Sequence, residues 1–149
     1  MNVEEFINNG INVSLGNDSP ASNNSLDMFQ EMKFASLIAK LKNNNPKTLD
    51  AKSLIQMATV NGAKALGYDN LGRIKEGYLA DLIIVDINNL SHSPINNIVN
   101  SIVFSTTGAD VDTTIINGKI LYENKKFKLI EQEEIEWIIA KVNKISNKF

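Results

Sequence analysis

Residues 11–28, INVSLGNDSPASNNSLDM, decide how the rest of the chain is read. The apolar run at 11–15 predicts a buried parallel strand, which stops at Gly16 and a lone carboxylate, Asp18. Pro20 then breaks the backbone, and Asn24 or Ser25 is placed to cap a new helix. In an α/β chain this sets Asp18 at the carboxyl end of a strand, where catalytic groups collect because strand ends and the following loops face an open crevice. Asp18 admits two readings here: a functional carboxylate, or a turn residue whose oxygens satisfy backbone N–H groups.

Working outward, residues 1–10 read as the end of a short helix, with Val3, Phe6 and Ile7 on one face and Gly10 as its stop. After the loop, Met28, Met32, Ala35 and Ala39 share one helical face and Phe34, Leu37 and Leu41 a second. Two apolar faces imply burial on two sides, or a helix that has lost a natural neighbour. Residues 42–47, with Pro46, form a linker, and Thr48 or Asp50 begins the next helix, which carries Leu54, Ile55, Met57 and Ala58. Asn61-Gly62 is expected to join two helical pieces, with Gly67 closing the second.

From Gly72 the pattern turns to β. Residues 82–87 predict an apolar strand and 98–104 a weaker one. Residues 111–116 and 119–122 flank Asn117-Gly118, the two-residue signal of a type I′ hairpin. Residues 131–148 predict an amphipathic helix with Ile135, Ile138, Ile139, Val142 and Ile145 on one stripe, led by acids and finished by lysines as the helix dipole favours. Trp137 falls off the stripe and reads as a peripheral packing contact.

Composition narrows the function classes. The 149 residues suffice for one core or two small lobes, and 43% hydrophobic with 21% charged residues excludes wholesale disorder. Lys plus Arg is 15 against 17 Asp plus Glu, a net charge of -2, so no basic excess points to nucleic acid. Without cysteine there is no disulfide, thiolate metal site or cysteine nucleophile. The N-terminal residues carry Glu4 and Glu5 and no basic segment, unlike a signal peptide, and no apolar run reaches membrane-spanning length. The expectation is a cytoplasmic protein with no membrane partner. The loop after Asp18 has no glycine-rich run or Lys-Ser pair to cradle a phosphate. Any histidine chemistry must be built from one imidazole, His92.

Several blocks carry a family resemblance. Gly16-Asn17-Asp18 with residues 21–29 (ASNNSLDMF), then 57–67 (MATVNGAKALG), 72–77 (GRIKEG) leading to 80–86 (ADLIIVD), and 115–119 (IINGK) follow one another in order. Together they resemble the amidohydrolase superfamily, on the branch of chlorohydrolases and methylthioadenosine/S-adenosylhomocysteine deaminases. The resemblance covers roughly residues 11–122.

It implies an α+β fragment: residues 1–67 as the last βα piece and helices of a (β/α)₈ barrel, 68–130 as the C-terminal strands of a small β-sandwich, and 131–149 as a closing helix. It further implies that Asp18 is the catalytic and metal-binding carboxylate at the end of the barrel's eighth strand. A bound divalent metal, zinc or iron, lowers the pKa of its water from about 15.7 to about 7, and a neighbouring carboxylate can relay the proton. Asn17 and Ser19 stand where the family usually has Thr and Gly, which changes what surrounds the carboxylate. Ser22 and Asn23 are candidate substrate contacts or builders of the turn. His92, in Ser91-His92-Ser93-Pro94, matches a family histidine after the sandwich strand and reads as a loop-packing residue.

The implied parent hydrolyses a C–N or C–Cl bond of a heterocycle such as an aminopurine or triazine. A barrel takes on the order of 250 residues, and the family's other ligands are histidines lying before residue 1. The expectation is therefore a C-terminal fragment, inactive alone and without tight metal binding, since a catalytic metal site uses three or more protein ligands. The alternative is a non-catalytic module that self-associates as a homo-oligomer through open sheet edges.

Overall fold

A computed structural model describes residues 3–146. Helices come first: α1 (Val3–Asn8), α2 (Met28–Asn43), α3 (Ala51–Ala58) and α4 (Val60–Ala65). A four-stranded sheet follows in the order β1 (Leu82–Val85), β2 (Val111–Ile116), β3 (Lys119–Glu123) and β4 (Lys126–Phe127). Between β1 and β2 the chain forms α5 (Ile98–Phe104), and α6 (Gln132–Ser146) closes it. Every strand pairing is antiparallel, so the architecture is α+β.

The core sits among the helices. Ala51, Leu54 and Met57 repeat every three residues along α3 and are all buried. Against them pack Phe29, Met32 and Ala39 of α2 and Val103 of α5. Burying a side chain of the size of Leu54 contributes about 1.5–3 kcal/mol. Ser36 shares the buried face of α2, and its hydroxyl donates to the Leu49 carbonyl at 3.2 Å, which satisfies it inside the core.

The hairpin is as the sequence predicts. Asn117 and Gly118 both take positive φ, 49° and 75°, as a type I′ turn requires. The two-piece helix also forms, although its break falls at Thr59 (φ -130°, ψ -89°) and Asn61-Gly62 lies inside α4. The helix at 28 begins later than expected: Asp27, not Asn24 or Ser25, caps it, accepting from the Phe29 and Gln30 amides.

Three expectations are corrected. Residues 11–15 form no regular element, no described strand pairs with them, and Ile11 is exposed. A segment becomes a strand only by hydrogen bonding to a neighbouring strand, and here Val13 and Leu15 instead rest on the helical core. Residues 98–104 are α5, not a strand: Asn97 accepts from the Asn100 amide at 3.0 Å and starts a helix that buries Val103. The strand expected at 82–87 ends at Val85.

The second apolar face of α2 lies bare, with Phe34, Leu37 and Leu41 exposed, so the burial on two sides that its pattern implies is not met among the described residues. Residues 147–148 of the predicted C-terminal helix, and residues 1–2 of the first, lie outside the described residues.

Candidate functional site

The loop at 16–27 is held from both sides. Before it, the segment at 11–15 is tied to the helices: Leu15 N–H donates to the Met57 carbonyl at 3.0 Å, and the Asn61 amide donates to the Val13 carbonyl at 2.7 Å. Asn12 returns the contact by donating to the Asn61 carbonyl at 2.9 Å. Asn61 thus supplies by side chain some of what a neighbouring strand supplies by backbone.

Within the loop, Asp18 has φ 60°, left-handed backbone that a short polar side chain tolerates through a local hydrogen bond. Its Oδ1 accepts the Ser19 N–H at 2.7 Å. The carboxylate is exposed.

Ser22 and Asn23 follow in a tight turn, their amides donating to the Ser19 carbonyl at 3.0 and 2.9 Å. The Ser22 hydroxyl donates to the same carbonyl at 3.3 Å and lies 3.2 Å from the Ser19 hydroxyl. Asn23 ties the loop together. Its amide nitrogen donates to the Asn17 carbonyl at 3.0 Å and to Glu31 Oε1 at 2.7 Å, and its side-chain oxygen accepts the Ser25 N–H at 3.0 Å. The side-chain amide nitrogen of Asn17 is buried and has no hydrogen-bond partner.

Asp27 and Glu31 were not singled out from the sequence, yet they fix where the loop ends. The signal was present: Asp27 precedes Gln30 by three residues, a spacing related to the capping box, and Gln30 Nε2 donates to Asp27 Oδ2 at 3.3 Å.

A divalent metal needs several ligands converging on one point. Among the described residues no three His, Cys, Asp or Glu side chains form such a group, so Asp18 has no pair of co-ligands there. The side chains described here therefore do not fit a catalytic metal by themselves.

His92 belongs to a different cluster. It is buried, with Nδ1 2.7 Å from the Ser101 hydroxyl of α5 and Nε2 4.0 Å from Asp110 Oδ2. Asp110 also accepts from the Thr107 backbone N–H at 2.8 Å, and this bond, foremost, holds its carboxyl below the usual carboxylate range. The cluster packs the β1–α5 connection onto the turn that enters β2.

The amidohydrolase family model matches residues 1–121. A 5-methylthioadenosine/S-adenosylhomocysteine deaminase of Acetivibrio thermocellus is 43% identical over 143 residues, which are 95% of this chain and 33% of the relative. One from Thermococcus onnurineus is 51% identical over 121 residues, 81% of this chain and 28% of the relative. A 5'-deoxyadenosine deaminase of Methanosphaera stadtmanae is 47% identical over 132 residues, 89% of this chain and 31% of the relative.

Among solved structures, a zinc-bound adenosine deaminase from Xanthomonas campestris matches with TM-score 0.89 and 29% identity, over 96% of this chain and 32% of that one. A zinc-complexed atrazine chlorohydrolase from Arthrobacter aurescens matches with TM-score 0.83 and 26% identity, over 95% and 31%. The chain spans about a third of the length of the relatives it matches. No helix among the described residues is long and apolar enough to cross a membrane.

Proposed function

Because this chain belongs to the amidohydrolase family, we propose that it is the C-terminal part of a metal-dependent hydrolase that cleaves the exocyclic C–N bond of an aminopurine nucleoside. One observation carries the choice of bond: the relatives at 43–51% identity are deaminases of adenosine derivatives, while the chlorohydrolase stands at 26%. In this reading residues 1–67 complete a (β/α)₈ barrel, 68–130 contribute strands to a small sandwich, and 131–149 close the chain. The helices before residue 67 and the sheet after residue 80 support that division.

Asp18 is the residue we assign to the divalent metal, zinc in view of the zinc-bound relatives. Its exposed position, on left-handed backbone in the loop after residues 11–15, supports the assignment. Co-ligands would come from chain beyond these 149 residues, so the chain alone is expected to be inactive. Ser22 lies in the turn that follows Asp18, bonded to Ser19, and is the freer candidate for a substrate contact. Asn23 is committed to three hydrogen bonds within the loop.

The test is a chimera in which this chain replaces the matching third of the Acetivibrio thermocellus deaminase. Bound zinc and hydrolysis of methylthioadenosine are expected to persist. Asp18→Asn should then lose both, by more than the roughly 10- to 100-fold that removing an outer-shell partner costs. A chimera in which Asp18→Asn keeps full activity and zinc would overturn the assignment.

A second reading, a self-associating module, is favoured by the bare stripe on α2, the exposed stripe on α6 and the unpaired edges of β1 and β4.

A further inference from the structure

Asp18 and its neighbour are held in a costly arrangement. The Asp18 backbone is left-handed, at φ 60°. Just before it, the side-chain amide nitrogen of Asn17 is buried without a hydrogen-bond partner. A loop relaxed by itself would turn that amide to water, so contacts from outside the turn must hold it.

One such contact runs through Asn23. A side-chain amide carries two N–H donors, and Asn23 Nδ2 donates to the Asn17 carbonyl at 3.0 Å and to Glu31 Oε1 at 2.7 Å. The Asn17 carbonyl and the Asp18 N–H belong to one planar peptide group, so the first bond fixes the plane from which Asp18 turns. The second fixes which way the Asn23 amide faces. A carboxylate only accepts, so Glu31 keeps the amide nitrogen toward itself and leaves the oxygen for the Ser25 N–H at 3.0 Å. With the amide reversed, oxygen would meet oxygen at both Glu31 and Asn17.

Glu31 stands on α2, and Phe29 and Met32 on either side of it are buried in the core, so the acceptor is mounted on packed helix and not on the loop. An acid in the first turn of α2 also complements the helix dipole. The dipole asks only for charge near that turn; it does not require a 2.7 Å contact with a residue eight positions back.

We propose that Glu31 is a positioning residue for Asp18, acting through Asn23 to hold the peptide group that precedes the carboxylate. This rests on the reading of Asp18 as the carboxylate of the site and adds the residue that aims it.

Two measurements test it. In the whole chain, the Ser19 N–H donates to Asp18 Oδ1 at 2.7 Å, so its proton chemical shift reports where the carboxylate lies. Glu31→Leu removes the acceptor and is expected to move that signal upfield, toward an unbonded amide, while the Leu54 amide in the core stays in place. Glu31→Gln keeps an acceptor oxygen without the charge and should retain most of the wild-type shift. Asn23→Asp has the same shape without the donors and should reproduce Glu31→Leu; it decides alone if loss of the Leu54 signal shows that Glu31→Leu unfolds the chain. In the chimera with the Acetivibrio thermocellus deaminase, Glu31→Leu should lower kcat per bound zinc by on the order of 10- to 100-fold with KM unchanged. Glu31→Gln should recover most of that loss.

A Ser19 signal unmoved by Glu31→Leu and Asn23→Asp, or moved equally by Glu31→Gln and Glu31→Leu, overturns the positioning role. So does an active chimera whose kcat per bound zinc is indifferent to Glu31→Leu, as a purely dipolar role predicts. An inactive unsubstituted chimera overturns the hydrolase reading instead, and the Ser19 signal still decides whether Glu31 places Asp18.

Discussion

Asp27 Oδ2 accepts the backbone N–H of Gly108 at 2.8 Å, joining residues 81 apart in sequence. Its other oxygen accepts from the Phe29 amide at 2.9 Å and starts α2. One carboxylate therefore closes the loop that carries Asp18, caps α2 and anchors the turn from which β2 enters the sheet. Helical layer and sheet share this fastening.

Asp27→Ala is expected to destabilise the chain by about 2–3 kcal/mol, the sum of a lost helix cap and a lost charge-assisted hydrogen bond. Asp27→Asn keeps an acceptor for the α2 amides and should lose less. Urea unfolding monitored by circular dichroism reads both, as a lower midpoint at unchanged slope.

Asp110 makes the stability pH-dependent. Its carboxyl is lowered from 3.8, first by the Thr107 backbone N–H, against the opposing cost of burial, and further by the Thr107 hydroxyl, His92 and Asn89. A carboxyl whose folded pKa is depressed contributes stability that is fully present above its unfolded value and is lost as pH falls through the folded one. The acid limb of the unfolding curve, below 3.8, should therefore flatten in Asp110→Asn, while its lower midpoint near neutrality reports the lost hydrogen bonds. An acid limb identical to wild type would show that Asp110 does not contribute.

Local chemistry made some elements legible. Asn117-Gly118 specifies its own turn, and Asp50 caps α3 through the Ser53 amide at 2.8 Å, as its position before an apolar-periodic run suggests. Where tertiary contacts decide, composition misleads. Residues 98–104 are rich in Ile, Val and Phe, which favour strands, but Asn97 starts a helix and Val103 fills the space between α2 and α3. Residues 11–15 look like a buried strand because their composition suits a neighbour that the described residues do not supply. For Asp18 the position in the loop after an apolar run is readable. Its left-handed backbone and the threefold use of Asn23 are not, because both depend on how the loop closes.

Two leucines on neighbouring helices separate core from bare surface. Leu54 is fully buried, so Leu54→Ala should cost about 2–5 kcal/mol. Leu41 is 84% exposed, and Leu41→Ala should stay within about 0.5 kcal/mol. A Leu41 substitution as costly as that at Leu54 would mean that the bare face of α2 is covered in solution, and the unfolding midpoint of each variant decides it.

Gly72 is where the chain passes closest to the α3–α4 break. Its φ is +82°, and a Cβ there would lie 2.9 Å from Val60 Cα and N and 3.0 Å from the Thr59 carbonyl carbon. These are backbone atoms, which cannot rotate aside as a side-chain tip can. Gly77 has nearly the same φ, +79°, with nothing within 4 Å of the added atom. Gly77→Ala should therefore cost only the left-handed strain, about 1–2 kcal/mol. Gly72→Ala should cost that strain and also displace the loop from α4, for about 3–5 kcal/mol in total. The difference between the two unfolding free energies isolates the backbone contact, and equal losses would show that the loop at Gly72 moves away from Val60 without penalty.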